Sequence, residues 1–356
     1  MSLQELVPHR MRSQLIGTNA NMTPAEVVGH MGAMQAQDFL MAKWAVGLRL
    51  PGSSAEMFDS AFNAGEILRT HLMRPTWHFI AADDIHWLLE LTAPKIRSSL
   101  GGRHRNLEIT GKILLKSKAL IEKALLKETF LTRDELAGVF VNAGIRTDGN
   151  RLSHLMLCAE LDGLVCSGPL KGGKQTYKLL QEHVPRKRIF TRDESMAKLA
   201  DRYFRSHGPA TVQDFTWWSG LNTGDAKRAL EMVRHSFLSE EYSSGQYWFS
   251  GDMAAKNPED KTSLYLLPAF DEFLIGYRSR DAVLSLIHNK KVISDNGIFR
   301  PVILLNGQVA GLWRRTTKKE QIVFETELFT KDSGKIRSML KHACEDYSRF
   351  LGKKLK

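Results

Sequence analysis

Gln35-Ala36-Gln37 sets two side-chain amides two residues apart, directly before Asp38. On a continuous helix, residues two apart do not face one another. In an extended junction they do, because side-chain direction there repeats every second residue. The local pattern supplies such a junction, between a helix ending near Met34 and a second helix capped by Asp38. Both amides then project beside the positive end of the second helix. A Gln carbonyl oxygen accepts from a water while its NH₂ donates elsewhere. The structural alternative is a pair of amides capping backbone groups at a tight corner, and spacing alone favours it.

Other constellations carry less. Gly168-Pro169-Leu170-Lys171-Gly172-Gly173-Lys174 has P-loop spacing up to its lysine, but Gln175 stands where a magnesium-holding Ser or Thr belongs. The following Thr176-Tyr177-Lys178-Leu179 reads as a strand, whereas a phosphate cradle opens a helix. It reads as a hairpin tip whose lysines suit a DNA backbone, so no nucleotide cofactor is expected. His71 and His78 flank another hairpin and either face a ligand or are satisfied internally. Trp217 and Trp218 are helix neighbours that point in different directions, so one packs while the other could stack a base. Asp271-Glu272 offers carboxylates for acid–base work or for structure. Cys158, Cys166 and Cys344 have no metal-site spacing and fit a reducing compartment. Neither metal nor cofactor is expected.

The elements that must hold these residues recur. Thr23-Pro24-Ala25-Glu26 opens a helix with an N-cap and proline at the first helical position. The helix from Asp38 ends before Pro51, and Ser53 or Ser54 caps a third. A strand-like stretch from Ile67 to Ile80, broken at Arg74-Pro75, completes a winged-helix outline. A second round has a basic helix over 110–127, a capping box at Thr132 to Glu135, a helix over 150–162 and a hairpin from Leu164 to Leu180. A third has helices near 193–207, 211–219 and 223–235, then a hairpin from Ser236 to Ser250 turning at Ser243-Ser244-Gly245. The last hundred residues read as short strands, with Asn306-Gly307 a strong hairpin signal, and a helix over 332–351. The spacing predicts units at 1–100, 101–190 and 191–255 and a small β unit at 256–356, barrel-like and closed by a helix. The fold class is α+β and helix-rich.

The chain of 356 residues carries a formal net charge of +11. Three windows, 101–127, 171–192 and 334–356, hold +16 between them and leave the remainder at −5. Charge patterned in this way suits an anionic polymer, although solvated helix faces would produce the same count. No window pairs its charge with an amphipathic aromatic face, so a membrane is not expected as partner. No apolar run approaches the ~20 residues of a span, and the first twenty residues lack a signal-peptide core. The expected location is the cytoplasm, at the nucleoid.

Met31-Gly32-Ala33-Met34-Gln35-Ala36-Gln37-Asp38 resembles the motif region of the AlkZ-like DNA glycosylases. Arg69-Thr70-His71-Leu72-Met73-Arg74-Pro75-Thr76-Trp77-His78 is similar to that family's first hairpin, and Leu266 to Leu274 to its C-terminal segment. The resemblance implies three winged-helix units and a β unit in a C-shape around DNA. It also implies hydrolysis of the glycosidic bond of alkylated purines, in some members including interstrand crosslinks. Gln35 and Gln37 then take the catalytic positions, the second being Asp in some relatives. Duplex DNA with alkylated bases is the implied partner of a monomer. The residues expected to touch it are Arg69, Arg74 and His78 of the first hairpin, Arg103 and Arg105, and Lys171 and Lys174 at the second hairpin's tip. The alternative is a non-catalytic DNA-binding or regulatory protein built from the same units.

Overall fold

Thr23 closes a capping box: its Oγ1 accepts from the Glu26 N–H at 3.2 Å, and the Glu26 carboxylate accepts from the Thr23 N–H at 2.7 Å. The helix Pro24–Met31 that follows stops three residues short of the expected Met34, because Gly32 takes φ +78°. This early stop frees Met34–Gln35 to run extended. Asp38 accepts from the N–H groups of Leu40 and Met41, both at 3.1 Å, and starts the helix Phe39–Leu48. The helix Ala55–Ala64 and the hairpin Ile67–Leu72 with Thr76–Ala81 complete the round.

The same order of three helices and a hairpin recurs twice. Gly111–Lys127, Arg133–Asn142 and Arg151–Leu161 precede the strands Val165–Lys171 and Lys174–Leu179. Arg192–His207, Val212–Ser219 and Thr223–Val233 precede Leu238–Tyr242 and Gly245–Phe249. The structure, a computed structural model, describes residues 3–242, 245–251 and 262–356. The expected turn at Ser243-Ser244 and the expected boundary at 255/256 lie outside the described residues. Among the described residues, helices that escape the sequence reading include Leu6–Ser13, Ile85–Ser99 and Gly101–Asn106. Pro94 inside the second of these is a breaker by composition; it is exposed, while Leu88, Leu91, Ala93 and Ile96 around it are buried and hold the helix.

Packing divides the chain into two compact units. One combines residues 1–58 with 196–356; the other is 59–195. In the first, a five-stranded sheet runs in the order Lys354–Leu355, Gln321–Leu328, Gln308–Lys318, Val302–Leu305, Leu264–Leu267. Asn306 and Gly307 both take positive φ, at +50° and +76°, in the two-residue turn that the Asn-Gly pair signals. Among the described residues the two end strands do not pair with each other, so the sheet is open, not the expected barrel. Its face is closed by the helix Gly334–Phe350 and by Trp44, whose ring lies edge-on to Tyr347 at 4.8 Å. Trp44 also donates to the Leu266 carbonyl at 2.7 Å, and so fixes the helix Phe39–Leu48 against the sheet.

The unit 59–195 has its own core. Ile121, Leu125, Leu136, Phe140, Leu155 and Val165 are buried together there. Gly172 and Gly173, at φ +57° and +77°, form the tip between strands Val165–Lys171 and Lys174–Leu179. The P-loop-like spacing is therefore a hairpin turn, as its strand-like flank implied.

Candidate functional site

Gln35 is half-buried, Ala36 buried and Gln37 exposed. That alternation is the period of two expected for an extended junction, with Ala36 as the inward anchor. The Gln35 N–H donates to Glu272 Oε1 at 2.7 Å across 237 residues of sequence. Glu272 Oε2 in turn accepts from the indole of Trp218 at 3.0 Å. Both carboxylate oxygens of a fully buried side chain are thus given to holding the motif and its support.

The neighbouring Asp271 is equally committed. It forms a two-pronged pair with Arg49, at 2.9 and 2.8 Å, and caps the short helix Glu272–Ile275 through the Phe273 N–H at 2.9 Å. Arg49 also donates to Gln14, which donates to the Tyr277 hydroxyl at 3.1 Å. The Asp271-Glu272 pair is therefore structural, and Glu272 fixes the main chain at Gln35. Sequence reasoning missed this link, since nothing local joins positions so far apart. Removing one partner of such a buried pair costs about 3–5 kcal/mol.

One partly buried imidazole and one fully buried one line this network. His30 meets the Ser13 carbonyl at 2.7 Å, and His207 Nε2 lies 3.6 Å from Glu272 Oε2. Burial holds both below the ordinary His value of 6.5, outweighing the Ser13 carbonyl for His30 and the Glu272 carboxylate for His207. Of the tryptophan pair, Trp218 is core and Trp217 is 43 % exposed, as the helix-neighbour argument required. Trp217 also donates to the Ile275 carbonyl at 3.1 Å, and the Arg280 guanidinium lies 5.5 Å from its ring centre.

All seven residues expected to touch DNA belong to the unit 59–195. Arg69 lies over the Trp77 ring at 4.0 Å, and Trp77 packs on His71 at 4.5 Å. Glu160 fixes this ladder from below: its Oε2 accepts from the His71 N–H at 2.8 Å and meets His71 Nδ1 at 2.8 Å. Glu160 is a second residue that sequence reasoning missed. Its signal was there, a carboxylate inside the apolar run Leu155 to Leu161. Arg74 sits at the hairpin tip beside Met73, whose φ of +59° is stabilised by Thr92 accepting its N–H at 3.2 Å.

His78 corrects an expectation. It is 1 % exposed and its Nδ1 lies 2.9 Å from the Thr76 carbonyl, so its ring is used inside the fold and does not face a ligand. Arg103 and Arg105 are exposed on the helix Gly101–Asn106, and among the described residues neither has an ion-pair partner. Lys171 and Lys174 are exposed but paired, with Glu135 at 2.6 Å and Asp134 at 3.1 Å. Lys171, then the Thr132 N–H and hydroxyl, lower the Glu135 carboxyl to about 2.

The three cysteines are buried thiols, pushed up to about 11 (Cys158 and Cys344) and about 12 (Cys166) mainly by burial. Among the described residues no cluster of His, Cys, Asp and Glu could hold a metal ion. No helix among them is long and apolar enough to cross a membrane.

The family model for DNA glycosylase AlkZ-like proteins matches residues 28–350. An interstrand DNA cross-link repair glycosylase of Streptomyces sahachiroi is 26 % identical over 343 residues, covering 88 % of this chain and 87 % of that one. The solved structure of Streptomyces sahachiroi DNA glycosylase AlkZ superposes with a TM-score of 0.80 at 21 % identity, over all of both chains.

Proposed function

The chain belongs to the AlkZ-like DNA glycosylase family, and from that premise we propose that it hydrolyses the N-glycosidic bond of alkylated purines in duplex DNA, crosslinked adducts included. The observation that carries the reading is the clamp of Glu272 on the Gln35 N–H. With Ala36 turned inward, it sets two amides on an extended segment at the start of a capped helix.

Gln35 and Gln37 are the catalytic residues in this reading. An alkylated purine that carries positive charge already leaves well, so no acid is needed to protonate it. What remains is to hold a water against the sugar and to favour an oxocarbenium-like transition state. Carbonyl oxygens of fixed amides do both. Asp38 is spent on capping and takes no part. Arg69, Arg74, Arg103 and Arg105 hold the duplex through its phosphates, with Lys171 and Lys174 contributing once released from their carboxylates. We assign the three helix–hairpin rounds to winged-helix units at 1–100, 101–190 and 191–255, ahead of a β unit at 256–356. The protein works as a monomer at the nucleoid.

The test is release of base from alkylated duplex, read as alkali-labile abasic sites. Gln35→Ala and Gln37→Ala should keep folding and duplex affinity while slowing excision, by about 10²–10³ at the more important position. If Asp38→Asn abolishes excision while both Gln variants remain active, the carboxylate activates the water. If the wild-type chain releases no base, the protein binds DNA without catalysis.

A further inference from the structure

A cavity of about 570 Å³ in the unit formed by 1–58 and 196–356 is lined by Arg10, Asp214, Tyr247, Arg278, Arg280 and Asp281, among others. Arg10 is its most telling residue. Only 3 % exposed, its guanidinium is stacked 3.8 Å from the centre of the Tyr277 ring, and its Nε donates to the Pro209 carbonyl at 2.9 Å. Its two terminal nitrogens make no hydrogen bond among the described residues; the nearest carboxylate oxygen, on Asp214, stands at 3.8 Å. Its fork pairs with Asp214 only at 3.8 Å, beyond hydrogen-bond distance, so this buried guanidinium keeps donors that an anion entering the cavity can engage.

The carboxylates fill that role only in part. Asp214 already accepts from the Arg278 N–H at 2.8 Å and from the Thr211 N–H and hydroxyl, both at 3.0 Å. Asp281 accepts from Ser279 at 2.9 Å on the rim. Arg280 gives two donors to the backbone carbonyls of Leu274 and Arg278. Arg278 is exposed at the mouth, with no ion-pair partner for its side chain among the described residues.

We propose that this cavity is a phosphate-binding site, with Arg10 as the fixed fork and Arg278 as the exposed arm at its mouth. Planar, bidentate recognition selects phosphate or carboxylate, and a tyrosine at the wall suits a sugar or base attached to it. The phosphate can come from a DNA strand or from a free nucleotide. The first source rests on the proposed DNA reading, the second does not.

The experiment uses the full chain as wild type, Arg278→Gln and Arg10→Lys. Each is titrated with deoxyadenosine 5′-monophosphate, with deoxyadenosine as the control lacking phosphate, and with a short undamaged duplex. Free-nucleotide binding is expected to raise the melting temperature with the monophosphate but not the nucleoside, and to weaken about tenfold in Arg278→Gln. If the source is a DNA strand, Arg278→Gln lowers duplex affinity about tenfold and reduces the salt slope by about 1. Arg278 is a surface residue, so its variant reads the site even if Arg10→Lys fails to fold. Unchanged monophosphate and duplex binding in Arg278→Gln overturns the proposal. Base release is scored separately, so failure here leaves the assignment of Gln35 and Gln37 standing, and the converse holds too.

Discussion

Glu272 uses both carboxylate oxygens as acceptors, one for the Gln35 N–H and one for the Trp218 indole. An amide in its place has only one acceptor oxygen, so its NH₂ must oppose one of the two donors. Leaving a buried donor unsatisfied costs about 1–3 kcal/mol. Glu272→Gln should therefore lower stability by that amount and depress kcat for base excision more than it changes KM, which a denaturation curve and single-turnover kinetics will read. An unchanged kcat with lowered stability would reduce Glu272 to a purely structural residue. His30 and His207 supply a second expectation. Their folded pKa values lie below 6.5, so the folded state resists protons that the unfolded chain accepts. Stability from these groups is fully present above pH 6.5 and is lost as the pH falls below it. Urea midpoints at pH 7.5 and 5.5 should show the fall, and His30→Gln should flatten it.

At the scale of elements, the cap at Asp38 fixes where the amide pair ends and the helix begins. Asn caps about as well as Asp, so Asp38→Asn should be near neutral, whereas Asp38→Ala should cost about 1 kcal/mol by thermal melting. Caps were also the most legible part of the sequence, because their signal is local. Thr23, Asp38 and Thr132 each begin a helix, and Asn306-Gly307 turns a hairpin. The helix Ile85–Ser99 was illegible because Pro94 argues against it and only tertiary burial overrides that. The candidate site divides the same way. Gln35 and Gln37 could be read from spacing and resemblance, but Glu272 and Glu160 act across 237 and 89 residues of chain. His78 misled because a histidine on a hairpin looks the same in sequence whether it faces out or in.

For the whole molecule, the net charge of +11 is less evenly available than its windows imply. In the window 171–192, Lys171, Lys174, Arg186, Lys187 and Arg188 each meet a carboxylate: Glu135, Asp134, Glu90, Asp83 and Glu194. All five acids come from outside the window, which a count along the chain does not reveal. In the window 101–127, Arg103, Arg105, Lys112, Lys123 and Lys127 are exposed and have no ion-pair partner among the described residues. Exposed pairs are worth only about 0.2–1 kcal/mol, so phosphate can displace the carboxylates, but each displacement offsets part of the gain. Duplex affinity should therefore fall steeply with salt, and chiefly through the first window. Arg103→Gln with Arg105→Gln should reduce the slope of log K against log salt by up to about 2, whereas Lys171→Gln with Lys174→Gln should reduce it by less than about 1. Binding isotherms on one undamaged duplex at several salt concentrations measure both. A larger loss of slope from the lysine pair would mean that the second hairpin's tip, and not the helix Gly101–Asn106, carries the phosphate contacts.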